Sequence, residues 1–201
     1  MTEINNTCSR CVMDTTASDI IFDQNNICNY CSSFKKKFKP KKESDLKKII
    51  DKIKKENNKN TYDCAVGLSG GVDSSWALFK IVEMGLNPLV IHLDNGWNSK
   101  LAQTNIYNLV YKLNLDLETY VIDWEEYKSL MDSFFKANVI DVEILMDNAM
   151  VGANFKLANK YGLKYIITGF NESTEGIKIP NNWNWFKKDK KNIRNINKRF
   201  N

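Results

Sequence analysis

Two groups of residues have the types and spacing to do chemistry. The first is the run Leu68-Ser69-Gly70-Gly71-Val72-Asp73-Ser74-Ser75. Two adjacent glycines let a backbone turn sharply and approach a bound anion closely. The hydroxyls of Ser69, Ser74 and Ser75 add donors, and a helix opening after the glycines would aim its first amides and its positive dipole end at phosphates. Asp73 stands out, because a carboxylate repels phosphate unless it holds a Mg2+ that bridges the phosphates, or caps the turn. Neither GxxxxGK[ST] nor GxGxxG occurs, so this is neither a Walker loop nor a dinucleotide turn. The plainer alternative is a Gly-Gly turn with an ordinary Asp/Ser cap. The order of residues at the end of an apolar run favours a nucleotide-phosphate cradle, with Ser69 and Asp73 as the catalytic candidates.

The second group is Cys8-x2-Cys11 and Cys28-x2-Cys31, sixteen residues apart. Each pair can supply two thiolates from a tight turn, and the two turns together close a tetrahedral all-sulfur site. The segment is short and polar, so a metal staple is the natural source of its stability. Zinc is expected in a structural role. An iron–sulfur cluster also suits four thiolates, and a redox pair or four unrelated thiols are the other readings. Four protein ligands would leave no open coordination position for catalysis.

Counting residues excludes other chemistry. The chain has five cysteines and a single histidine, His92. A glutaminase needs a Cys nucleophile with a His base, or a terminal Cys uncovered by Met removal. Position 2 is Thr, and the one cysteine outside the pairs, Cys64, lies in an apolar run and reads as a core thiol. His92 itself reads as a strand residue packed under a helix. The first residues, MTEINNTCSRC, contain no apolar leader, and no apolar run reaches the ~18 residues of a membrane span. A cytoplasmic protein with no membrane span is expected.

The elements that must position these residues follow from periodicity. With 201 residues, 43% of them hydrophobic, the chain has room for one α/β domain and an appendage. Residues 1–33 form the cysteine module. Residues 34–60 form a basic linker and helix: 35–59 hold twelve lysines against four acids, with Ser44 as N-cap and an apolar stripe at Leu46, Ile49, Ile50 and Ile53, ending near Asn57-Asn58. Residues 61–201 form the main domain. Strands are expected over 62–68, 88–94, 118–123 and 164–169, and helices over roughly 73–85, 98–114, 125–137 and 144–161. Near-continuous apolar strands alternating with helices predict an α/β, doubly wound parallel sheet. After Gly176 the chain is aromatic and basic and shows no apolar periodicity. Trp183 and Trp185 offer faces for a sugar ring or for packing.

The octapeptide resembles the PP-loop of the ATP-pyrophosphatase superfamily, with its adenine nucleotide alpha hydrolase-like fold. That resemblance implies ATP, with Mg2+, on Leu68, Ser69, Gly70, Gly71, Val72, Asp73, Ser74 and Ser75. It also implies adenine held by backbone at Leu93 and Asp94, and Gly169 closing the other side. The order CxxC…CNYC, LSGGVDSS, HLDNGWNS, ITGFNESTEG and PNNWNW is similar to the N-acetyl sugar amidotransferases of lipopolysaccharide, flagellar glycan and pseudaminic or legionaminic acid synthesis. Four-cysteine zinc ribbons accompany the PP-loop there. The resemblance implies adenylation of a sugar's acetamido oxygen and its replacement by ammonia to give an acetamidino sugar. The sugar, free or nucleotide-linked, would meet Asn171, Glu175 and Trp183, and a separate glutaminase subunit would supply ammonia. Members of that family continue further, so 61–201 is expected to be incomplete at its carboxyl end. The rival expectations are a PP-loop tRNA-thiolating enzyme, for which the lysines would track phosphate, and a truncated, non-catalytic nucleotide binder. A nucleic-acid partner is not expected, because sulfur transfer generally relies on a cysteine pair near the nucleotide.

Overall fold

The computed structural model describes residues 6–57 and 60–201. Residues 1–5, with Thr2, and residues 58–59, with the expected helix end at Asn58, lie outside the described residues. Contacts divide the chain into two units, one formed by the chain up to Pro40 with Asn171–Lys187, the other by Lys41–Phe170 with Lys188–Asn201. Three consecutive blocks were expected from composition. Instead, the segment after the fourth strand belongs with the cysteine module.

The larger unit is built on four parallel strands, β1 (Cys64–Gly67), β2 (Pro88–Asp94), β3 (Leu117–Val121) and β4 (Ile166–Ile167), in the order β3-β2-β1-β4. Both faces of the two central strands are covered, as their continuous apolar sequence requires. On one face Cys64, Val66 and Val90 pack with Ile50 and Ile53 of α2 (Glu43–Asn57), Leu78 and Ile81 of α3 (Val72–Glu83) and Ile106 of α4 (Lys100–Leu113). On the other, Ala65, Leu89 and Ile91 pack with Leu157 and Ala158 of α6 (Ile144–Lys160). β3 differs from the expected doubly covered strand. It is an edge strand whose residues alternate between exposed and half-buried. Among the described residues no helix is long and apolar enough to cross a membrane.

The basic helix α2 begins at Glu43, so Ser44 lies inside it rather than capping it. Half of its expected stripe is used: Ile50 and Ile53 are buried, and Leu46 and Ile49 stay exposed. Each buried isoleucine contributes about 2 kcal/mol. Further along the chain, Phe134 of α5 (Trp124–Lys136) centres a third cluster with Ile144 and Leu145. It is completed by Ile193 and Ile196 of α8 (Lys190–Phe200), a helix where no apolar periodicity is expected from the sequence.

The smaller unit is held by its cysteines and two short pairings, Thr7 with Asp14 and Phe22 with Cys28. Cys28 caps helix α1 (Asn29–Lys37), its sulfur accepting from the Cys31 amide. Ile177 and Trp183 pack on Cys8, Met13, Cys28 and Cys31. Asn182 ties the returning segment down, accepting from the Ser18 amide at 3.2 Å and donating to the Thr16 carbonyl at 2.8 Å.

Candidate functional site

The phosphate-loop sequence leaves β1 at its carboxyl end and opens α3. Gly70 has φ +79°, a left-handed value that suits glycine. A Cβ there would lie 2.5 Å from the Ala102 carbonyl oxygen of α4. Gly71 caps α3 with no side-chain hydrogen bond to its amides, so those amides remain oriented outward along the helix axis. Ser74 is buried and knits the turn. Its Oγ lies 3.1 Å from Ser69 Oγ, accepts from the Ser69 amide at 3.3 Å and donates to the Gly71 carbonyl at 3.3 Å. Asp73 and Val72 are exposed at the first turn.

Two neighbours confine this loop. Gly169, just past β4, is so close to it that a Cβ would lie 2.5 Å from the Ser74 amide nitrogen and 2.9 Å from the Asp73 carbonyl carbon. Asn105 of α4 donates to the Gly70 carbonyl at 3.1 Å. β1 lies between β2 and β4, so the loop emerges where successive crossovers leave in opposite directions. That is the crevice where open α/β sheets take their ligands. At the end of β2, Asp94 Oδ1 accepts from the Gly96 amide at 3.0 Å and Asn95 Oδ1 from the Trp97 amide at 3.0 Å. Trp97 is exposed, with its ring 6.0 Å from that of Trp124. The structure therefore brings the loop, Leu93-Asp94 and Gly169 to one end of one sheet. Sequence reasoning missed Asn98, Ala102 and Asn105, which hold the loop or the adjoining turn. Two asparagines seven residues apart around a helix start were the available signal.

The four sulfurs of Cys8, Cys11, Cys28 and Cys31 lie within 4.8 Å of one another, with Cys8 to Cys31 at 4.0 Å and Cys11 to Cys28 at 3.5 Å. Zinc–sulfur bonds of about 2.3 Å in a tetrahedron separate sulfurs by about 3.8 Å. The residues fit one zinc ion, whereas a cluster of several irons would hold them further apart. Burial alone would push the Cys8 thiol up, but the amides of Cys11, Arg10 and Cys28 outweigh it and bring it down to about 6. Burial, followed by the neighbouring sulfurs of Cys11 and Cys28, pushes Cys31 up. Cys64 is a core thiol as expected, fully buried and pushed up to about 12 by burial and then by Asp63.

In the smaller unit, Asn171 and Glu175 meet each other across helix α7 (Glu172–Glu175). Asn171 Oδ1 accepts from the Ser173 amide at 3.2 Å, and Glu175 Oε2 from the Asn171 amide at 3.3 Å. This is a reciprocal N-terminal cap. Trp183 is half-buried against the cysteine core. A cavity of about 320 Å³ lies between α1 and this segment, lined among others by Tyr30, Ser33, Phe34, Lys37, Glu172 and Lys178.

The family model described as Thiamine biosynthesis protein (ThiI) matches residues 61–174, more than half of the chain. No curated protein matches it. Among solved structures, a glutamine-dependent NAD+ synthetase from Acinetobacter baumannii shares 15% identity at a TM-score of 0.53, over 79% of this chain and 31% of that one. An NMN synthetase from Francisella tularensis shares 18% identity at a TM-score of 0.49, over 66% and 56%. An NH3-dependent NAD synthetase from Campylobacter jejuni shares 20% identity at a TM-score of 0.47, over 63% and 55%. The chain thus spans between about a third and just over half of the length of these three proteins.

Proposed function

The chain belongs to the family described as Thiamine biosynthesis protein (ThiI), and from that premise we propose that it is an ATP-dependent N-acetyl sugar amidotransferase. Its PP-loop fold is that of ATP-using enzymes. The observation that supports a nucleotide at this loop is the tight fit at Gly70 and Gly169. A methyl group on Gly70 would strike the backbone of α4 and one on Gly169 the backbone of Asp73 and Ser74, so the loop is held from two sides while the α3 amides carry no side-chain cap.

In this reading Ser69, Gly70, Gly71, Val72, Ser74 and Ser75 hold the ATP phosphates by amide and hydroxyl donation. The Leu68, Leu93 and Asp94 backbone and Gly169 border the base and sugar of ATP. Asp73 would hold a Mg2+, which when bound neutralises charge as the α-phosphorus is attacked. The acetamido oxygen attacks that phosphorus and pyrophosphate leaves. Ammonia then adds to the activated carbon, the C–O bond breaks, and AMP leaves. The nitrogen loses a proton to solvent, giving an acetamidino sugar. The sugar is assigned to Asn171, Glu175 and Trp183. The four-cysteine site would hold structural zinc, and ammonia would come from a glutaminase partner.

A second reading, tRNA thiolation, is favoured by the twelve lysines over 35–59, most of which are exposed and could follow a phosphate backbone. Against it, four cysteines are drawn into one cluster and the fifth is buried. Pyrophosphate release by the purified chain separates the two. An acetamido sugar with ammonium should stimulate it, Asp73→Asn should abolish it while ATP still binds weakly, and tRNA with a sulfur donor should do nothing. Release that needs tRNA would replace the amidotransferase by the thiolation reading, and silence in both mixes would leave a nucleotide binder without catalysis.

A further inference from the structure

His92, the single histidine of the chain, is buried near the end of β2. Its Nδ1 lies 2.9 Å from the Leu68 carbonyl oxygen and its Nε2 lies 3.3 Å from Asn98 Nδ2. The same amide nitrogen lies 3.4 Å from Asp94 Oδ1. A carbonyl oxygen and a carboxylate oxygen only accept, and these two ends fix the direction of every bond between them. Nδ1–H donates to Leu68. The two amide hydrogens of Asn98 go one to Asp94 and one to Nε2. The ring is thus neutral, with its proton on Nδ1.

Leu68 is the residue from which the loop departs. Its amide donates to the Ile91 carbonyl at 2.8 Å, so two successive residues of β2 hold both of its polar groups. Asp94, at the other end of the chain of bonds, also shapes the turn that leads to Trp97 through the Gly96 amide. The entry of the phosphate loop and the turn after β2 are therefore joined by a side-chain bridge through His92 and Asn98.

We propose that His92 and Asn98 are positioning residues for nucleotide binding, a brace that sets the spacing between the phosphate loop and the Asp94 turn. The inference rests on the ATP reading above for its ligand, and on geometry alone for the brace. Ser74 knits the turn from within, but nothing in that network reaches the Leu68 carbonyl from which the loop departs. The brace supplies that from the neighbouring strand, and does so without touching the reacting atoms.

The test uses the full zinc-loaded chain labelled with 15N. With one histidine, the long-range proton–nitrogen spectrum contains a single imidazole. It should show a protonated Nδ1 and a bare Nε2 without ATP. A proton on Nε2 would overturn the brace. ATP affinity is then measured on variants of comparable thermal midpoint. His92→Leu and Asn98→Ala should each weaken ATP at least tenfold. His92→Asn, which can still donate to Leu68, should stay within threefold of Asn98→Ala. Wild-type affinity in both His92→Leu and Asn98→Ala would overturn the positioning role. A wild-type chain with the Nδ1–H ring and no ATP binding would instead overturn the ATP reading, with the brace confirmed as scaffold.

Discussion

At position 169 the space available to a side chain is zero. A methyl group would meet the Ser74 backbone nitrogen and Cα at 2.5 and 2.7 Å, and neither atom can swing aside as a flexible side chain could. Gly169→Ala is expected to cost about 2 kcal/mol in a urea titration and to weaken ATP at least tenfold, by pushing β4 and α3 apart. An alanine variant with unchanged ATP affinity would show that the loop tolerates displacement. Val12 is the opposite case. It is 78% exposed at φ 56°, a left-handed conformation that a β-branched residue adopts only under strain of about 1–2 kcal/mol. Val12→Gly should stabilise the smaller unit by about 1 kcal/mol, read as a raised denaturation midpoint, and a lowered midpoint would refute the strain. Cys64 carries a pH prediction. Its folded thiol titrates near 12 against an ordinary 9.0, so the unfolded chain ionises first. Stability tied to this group is complete below pH 9 and declines as pH rises from about 9 to 12. Cys64→Ala should flatten that alkaline decline, which can be followed by circular dichroism against pH.

At the scale of elements, α8 shows what pattern reading can and cannot do. Ile193, Ile196 and Phe200 stand at i, i+3 and i+7, a helix face that asparagines and lysines hide in a run of low apolar content. Two polar contacts complete its seam with α5, Ser133 Oγ to Asn197 Oδ1 at 3.1 Å and Ser129 Oγ to Asn201 Oδ1 at 3.0 Å. Ile196→Ala should cost about 1–2 kcal/mol, less than a fully buried truncation, and no change in midpoint would mean that α8 contributes nothing to the core. The loop at 68–75, the central strands and α3 to α6 were legible in the sequence, because residues adjacent in the chain carry them: a Gly-Gly turn between an apolar strand and an amphipathic helix. The edge character of β3 was not, since strand order depends on which neighbour a strand finds. Nor were the local cap made by Asn171 and Glu175 and the packing of Trp183 on the cysteines. A polar or aromatic residue looks the same in sequence whether it meets a ligand or its own chain.

At the scale of the molecule, each unit has its own core, one of sheet and helices and one of sulfur and a few apolar residues. Loss of metal should therefore be felt unequally. A strong chelator, or Cys28→Ser, is expected to open the smaller unit. Trypsin would then cut at Lys35, Lys36 and Lys37 while the sheet of the larger unit resists. Elemental analysis should find about one zinc per chain before chelation. A digestion pattern unaltered by metal removal would rule out a structural metal.

The bonds of Asn182 to Thr16 and Ser18 span 166 and 164 residues, and they give the smaller unit a history as well as a shape. On a ribosome adding about 5–20 residues per second, the last of the four cysteines emerges roughly seven to thirty seconds before Ile177 and Trp183, the residues that cover them. During that interval a metal ion, once captured, would hold the sulfurs together and out of reach of oxidants. With a metal in the site, birth order would rank the steps: metal first, sheet second, and the closing segment last.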